Sequence, residues 1–295
     1  MSNQASFSLV AAFSTSPFGG NPAAVIFLDP KNTPEDTLAG IARNVNQPMT
    51  AFIGPSQLSA ENDTTAVYDI RYFAANGVEV SLCGHATLAS AKVLFSQTGR
   101  ASISVLQFHT PSEGVVAAKK VDGGLVEIEF PTGTTTKLSE EQKSRIIPLI
   151  NKAFGREVVI NYLGASGPPY EHALLIELDE KENLAECKVD AEAFRDTGYI
   201  INTVTTASSS GNESFVSRMF SPTMIPGGED PVCGSAHCVL TPYWYQKQRI
   251  ASGKSIKAKQ VSVRGGDLLL TWDEAAKSIK LVGEAIVIGV GHLYF

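Results

Sequence analysis

The apolar positions of the chain lay out strands first. "SFSLVAAFST" is apolar enough for a buried strand, and "AAVIFL" after Pro22 reads as a second. The spacing then changes to that of a helix. In "TPEDTLAGIARNVN", Leu38, Ile41 and Val45 share one face, Thr33 is placed to cap it, Pro34 fits the first turn, and Glu35 and Asp36 favour the positive end. "TAFIG" and "TTAVYDIRYFA" return to the strand pattern. After Cys83, the small residues of "GHATLASAKVLFSQTG" predict a helix closed by Gly99. "ISVLQFHT", "GVVAAKKV" and "LVEIEF" then predict a meander turned by Asp122-Gly123-Gly124.

The second half repeats this order. A helix over "SEEQKSRIIPLINKAFG" leads to strands in "VVINYLG" and "EHALLIEL", and "FVSRMFSP" precedes a second Cys-Gly pair, Cys233-Gly234. The helix "SAHCVLTPYWYQKQ" follows, with Pro242 expected to kink or shorten it. Strands around "QVSVRGGDLLLTW", "SIKLVG" and "AIVIGVGHLYF" close the chain. Arg71-Tyr72-Phe73 stands before Cys83 as Arg218-Met219-Phe220 stands before Cys233. An internal duplication accounts for this order. It divides the chain into residues 1–130 and 131–295, with a boundary in "FPTGTTTKLSEE" and the last strand as a candidate to join the first domain. The active site is expected at the cleft between the two domains.

Bulk properties narrow the function. A chain of 295 residues is a natural length for two domains, and 43% hydrophobic with 18% charged residues supports a sizeable core. A net charge of −6 argues against nucleic acid or an anionic membrane as partner, since both call for clustered Lys and Arg. No run is long enough for a spanning helix, and "MSNQASFSLVAAF" lacks the basic flank and apolar stretch of a secretion signal, so a cytoplasmic setting is expected. Four cysteines in such a chain are expected to remain thiols.

Two of these, Cys83 and Cys233, stand at helix openings, where unpaired N–H groups and the positive end of the dipole stabilise a thiolate. The same N–H groups bind carboxylates. Two such openings acting on one small acid would let one thiolate remove a proton from a carbon while the opposite thiol delivers one, without a cofactor. Cys187 and Cys238 read instead as small buried hydrophobes. His85 can shuttle a proton or satisfy a core hydrogen bond, Asp230 can act as acid/base or cap a helix, and Ser235 can donate to an anion or cap. No metal is expected: the spacings among Cys83, His85, Cys233, His237 and Cys238 do not match the paired-Cys pattern of zinc sites.

"AFSTSPFGGNPAAVIFL", "EVSLCGHATLASAKVLF", "SRMFSP", "EDPVCGSAH" and "RGGDLLL" resemble, in order, the blocks of the phenazine-biosynthesis PhzF-like family, within the diaminopimelate-epimerase-like fold. The resemblance implies an α/β (α+β) protein of two pseudo-symmetric domains, each a curled, mostly antiparallel sheet around a central helix. It also implies cofactor-free proton-transfer isomerisation of a small molecule and, commonly, a homodimer. His85, Asp230 and Ser235 match active-site positions of these isomerases; with Gly84, Gly234, Met49 and Asn21 they make up the expected substrate site around Cys83 and Cys233. The chain departs from the family where a Glu usually serves as principal acid/base. Met49 stands there and has no titratable proton. Three readings follow: a two-thiol isomerase or epimerase, a repurposed cyclase, and a non-catalytic binder of a small acid.

Overall fold

The computed structural model describes residues 3–58, 63–98, 101–112 and 114–295. The chain forms two compact units, residues 1–129 with 281–295, and residues 130–280. The first unit begins with β1 (Gln4–Ala12), β2 (Asn21–Phe27), α1 (Glu35–Val45), β3 (Met49–Pro55) and β4 (Thr65–Ala74). It continues through β5 (Glu79–Val80), α2 (Gly84–Phe95), β6 (Val105–His109), β7 (Val115–Val121) and β8 (Leu125–Pro131). The second carries β9 (Thr135–Lys137), α3 (Glu140–Phe154), β10 (Ile160–Ser166), β11 (Ala173–Leu178), β12 (Ile201–Ala207) and β13 (Phe215–Phe220). Then come β14 (Glu229–Asp230), α4 (Gly234–Gln248), β15 (Ile256–Gln260), β16 (Gly266–Asp273) and β17 (Ser278–Gly283). The last strand, β18 (Ala285–Tyr294), returns to the first unit and pairs antiparallel with β1.

The pairing order is the same in both. In the first unit β1 is antiparallel to β2, β2 parallel to β3, β3 antiparallel to β4, and β4 parallel to β6, which turns back into β7. In the second, β10, β11, β12, β13, β15 and β16 repeat that alternation of senses one for one. The two-residue strands β5 and β14 pair antiparallel with β4 and β13 just before each cysteine. A matching fork holds each. Arg71 Nε and Nη2 donate to Glu79 at 2.7 and 2.6 Å, and Arg218 Nε and Nη2 donate to Glu229 at 2.7 and 2.8 Å. Each guanidinium also lies over a phenyl ring, Phe73 at 5.2 Å and Phe220 at 5.1 Å.

Each sheet curls around a central helix. The α2 helix touches β1, β2, β3, β7 and β18, and all its residues from Gly84 to Ala91 are buried. Its small side chains admit strands on every side, and its hydroxyls are satisfied internally: Thr87 donates to the Cys83 carbonyl and Ser90 to that of Ala86. The α1 helix packs Leu38, Ile41 and Ala42 with Ile26, Phe52 and Phe73. Ser139 caps α3 through a reciprocal pair of bonds with Gln142. No helix among the described residues is long and apolar enough to cross a membrane.

The structure corrects three local expectations. Thr33 does not cap α1. Its hydroxyl donates to the Asp29 carbonyl at 2.7 Å, and Pro34 takes the N-cap position with no side-chain cap bond. Pro242 does not shorten α4, which runs for 15 residues through it. Proline at 242 leaves the Cys238 carbonyl without its usual helical donor, and the Gly133 N–H supplies one at 3.0 Å. The Thr-rich stretch after Pro131, expected as loop, contributes β9, which pairs with β10. Gly99, expected to close α2, lies outside the described residues; the helix itself ends at Phe95.

Candidate active site

Each unit carries one helix that opens on a cysteine. In the first, Cys83 is the N-cap of α2, with extended backbone angles (φ −143°, ψ 113°), and Gly84 is the first helical residue. His85 follows on the first turn and brings Nδ1 to 3.3 Å from Cys83 Sγ. Asn21 opens β2, and its Nδ2 stands 3.2 Å from the same ring nitrogen. The three side chains form a buried chain of Asn, His and Cys. Burial lowers the His85 pKa from 6.5 to about 4, opposed by a backbone bond to Pro22, so the ring is neutral at pH 7. Its Nε2 is buried with no hydrogen-bond partner among the described residues. A neutral imidazole beside a thiol can exchange a proton with it, and an unengaged buried nitrogen suits a substrate polar atom.

Met49 is the first residue of β3, opposite Ala23 and Ala74 in the ladders. Side chains alternate along a strand, so Met49 shares a face with Ala51, which pairs with Tyr72. The Tyr72 hydroxyl meets Thr87 of α2 at 2.7 Å, so this is the face turned to the cysteine helix. Met49 is buried there, 8% exposed, and brings a thioether to the position where the family resemblance expects a carboxylate.

In the second unit Cys233 is the N-cap of α4 (φ −104°, ψ 110°), and Gly234 begins the helix. The sulfur accepts the Ala236 N–H at 3.4 Å, and Ser235 Oγ lies 3.9 Å away. The Ala236 N–H places a donor against sulfur, as a helix opening does for a thiolate, while the thiol form donates to Ser235 Oγ. Asp230 ends β14, three residues earlier, and is 8% exposed. Cys83 and Cys233 are equally covered, each 7% exposed.

The other candidate ligands have structural duties. His237 Nδ1 lies 2.7 Å from the Cys233 carbonyl and Nε2 lies 3.4 Å from Ser217 Oγ, with the ring stacked on Phe215. Burial lowers its pKa to about 4 against the opposing bond to Cys233. Burial pushes the Cys238 thiol up to about 12, so it stays protonated. Sequence reasoning missed Gln260. It is fully buried on the last position of β15; its Oε1 accepts the Cys233 N–H at 2.9 Å and its Nε2 donates to the Asp230 carbonyl at 2.5 Å.

Twin units, each curled round a helix that opens on a cysteine, define the epimerase-like class of α/β folds. The family profile described as "Phenazine biosynthesis-like protein" matches residues 10–291, and the chain belongs to that family. An uncharacterized isomerase of Halalkalibacterium halodurans is 34% identical over 282 residues, covering 95% of each chain. The crystal structure of a PhzF-family protein of Enterococcus faecalis is 32% identical, covers 100% of each chain and superposes with a TM-score of 0.82. A hydroxyproline epimerase of Agrobacterium vitis, solved with trans-4-hydroxy-L-proline bound, shares the fold at 12% identity and a TM-score of 0.61, covering 99% of this chain and 93% of its own.

Proposed function

We propose that the protein is a cofactor-independent isomerase that moves a proton at the carbon beside a carboxylate or carbonyl of a small acid. Cys83 and Cys233 are its acid/base pair. The observation that carries the reading is the duplicated placement: one thiol at the N-cap of a helix of at least 12 residues in each unit, each with a polar neighbour. Membership of a family with relatives named isomerases supports the same class of reaction.

In this mechanism the substrate carboxylate takes N–H groups at a helix opening, and one sulfur approaches each face of the adjacent carbon. The Cys233 thiolate, held by the Ala236 N–H, removes the proton. The Cys83 thiol donates to the opposite face and is left as the thiolate, while Cys233 keeps the abstracted proton. The pair is then set for the reverse reaction or is reset by proton exchange with water, and His85 Nδ1, 3.3 Å from Cys83 Sγ, orients the sulfur. The reading requires each sulfur to come within about 3–3.5 Å of the reacting carbon. Met49 closes the pocket against water and takes no proton. The working form in this reading is a cytoplasmic homodimer.

The test is deuterium uptake from heavy water into candidate small acids, followed by NMR or mass spectrometry. Cys83→Ala and Cys233→Ala should each abolish the exchange. Exchange that persists in both single variants would rule out the thiol pair and favour a reaction built on Asp230 or His85 alone. Met49→Glu adds a second arm: it should abolish the native exchange by setting a carboxylate in a dry pocket.

A further inference from the structure

The segment Asp230–Cys233 carries both the acid and the thiol of the second half-site, and a strand far along the chain holds it. We propose that Gln260 is the positioning residue of that half-site, its single amide fixing Asp230 and Cys233 relative to each other; this rests on the two-thiol reading above. Several features converge. Gln260 is 0% exposed, and both ends of its amide are engaged on backbone groups of the segment: Oε1 with the Cys233 N–H, Nε2 with the Asp230 carbonyl. Two residues further, Ser262 Oγ donates to the Pro231 carbonyl at 2.7 Å and accepts the Gly265 N–H at 3.1 Å. Three backbone groups of four consecutive residues are therefore held by two side chains from one strand end.

The anchoring is itself rigid. Gln260 closes β15, opposite Ser217 of β13 in the parallel ladder and Gly266 of β16 in the antiparallel one. The neighbouring Arg218 is locked into Glu229, the residue before Asp230. The two supports meet at β14, one through its side chain and one through its backbone. A planar amide that accepts on one oxygen and donates from one nitrogen matches the N–H and C=O presented to it, and no other uncharged side chain of that length does both. Fixing the Cys233 N–H keeps the cysteine at its N-cap angles, with the Ala236 N–H on sulfur.

The experiment compares Gln260→Met, which keeps length and loses both bonds to the segment, with Ser262→Ala, which loses one bond to the segment and the one from the Gly265 N–H at a half-buried site. In the full chain, iodoacetamide labelling of each cysteine is followed across pH by peptide mass spectrometry. In Gln260→Met the labelling midpoint of Cys233 should rise by about one pH unit or more as the thiolate leaves its helix donors, while that of Cys83 stays put. Exchange turnover should fall ~10–100-fold with KM within about threefold, the pattern of a misplaced catalytic group. Ser262→Ala should shift the Cys233 midpoint in the same direction by less. If Gln260→Met does not fold, the Ser262→Ala shift decides the matter. An unchanged Cys233 midpoint, or an equal movement of both cysteines, would overturn the proposal. Failure of the reaction class is separate: wild type would then show no exchange, while the labelling midpoints would still report on Gln260.

Discussion

Replacing Gly133 by Ala should cost far more than a methyl group ordinarily does. A Cβ at 133 would stand 2.7 Å from Val239 Cγ2, 3.0 Å from Tyr170 Cδ2 and 3.1 Å from the Cys238 carbonyl oxygen. Val239 is β-branched in a helix and has one favoured rotamer, so it does not swing aside. The carbonyl belongs to the backbone of α4. Residue 133 must therefore withdraw, and its N–H leaves the Cys238 carbonyl that Pro242 cannot serve. Overpacking of this kind costs about 1–3 kcal/mol, and a buried carbonyl left without a donor about 1–3 kcal/mol more. A loss of roughly 2–6 kcal/mol corresponds to a fall in melting temperature on the order of 5–20 °C for a chain of this size. Urea unfolding followed by circular dichroism measures it. The double variant with Pro242→Ala gives the sharper test, because alanine at 242 restores the helical N–H for Cys238. The two changes should then be non-additive, with about 1 kcal/mol of the Gly133→Ala penalty recovered in the double mutant. A Gly133→Ala variant within about 0.5 kcal/mol of wild type, or strict additivity of the pair, would refute the account.

Two further outcomes follow from the buried polar groups. His85 and His237 each have a pKa lowered from 6.5 to about 4 by burial, so between those values the unfolded chain binds protons that the folded one refuses. Their contribution, up to about 3 kcal/mol each, is complete above pH 6.5 and is lost as pH falls toward 4. His237→Gln should remove about half of that slope in urea titrations between those limits, and an unaltered slope would show that His237 titrates normally in the fold. Arg218→Lys should destabilise more than Arg71→Lys when urea midpoints are compared. Arg218 is the more buried, 8% against 16% exposed in the side chain, and it also donates to the carbonyls of Leu184 and Cys187 at 3.2 and 2.6 Å.

Much of the fold was legible because its signals are local. The repeated Cys-Gly before a run of small residues predicts two helix openings, and both cysteines are N-caps. Ser139 followed by Gln142 forms the capping box that such a pair announces. Thr33 failed for a local reason too: Asp29, four residues back, offers its carbonyl to the hydroxyl, and a cap position next to a proline leaves little to distinguish one residue from the next. Pro242 misled because its compensation comes from Gly133, 109 residues earlier in the chain. Gln260 was invisible for the same kind of reason. Within "IKAKQ" it reads as the end of an alternating strand, and only the pairing of β15 with β13 carries it to Cys233. The departure at Met49 was readable, since a residue type without a proton can be recognised from sequence alone.

The second unit is one uninterrupted stretch, residues 130–280, whereas the first is assembled from both ends of the chain. A ribosome that has emitted 280 residues has therefore released everything the inner unit needs and not yet β18, which lines the flank of β1 over nine register pairs. Residues 130–280 are the piece to express alone. The outer unit waits for the final strand, so a premature stop near position 280 should leave β1 with one bare margin and α2 short of a wall, a truncation product primed for aggregation.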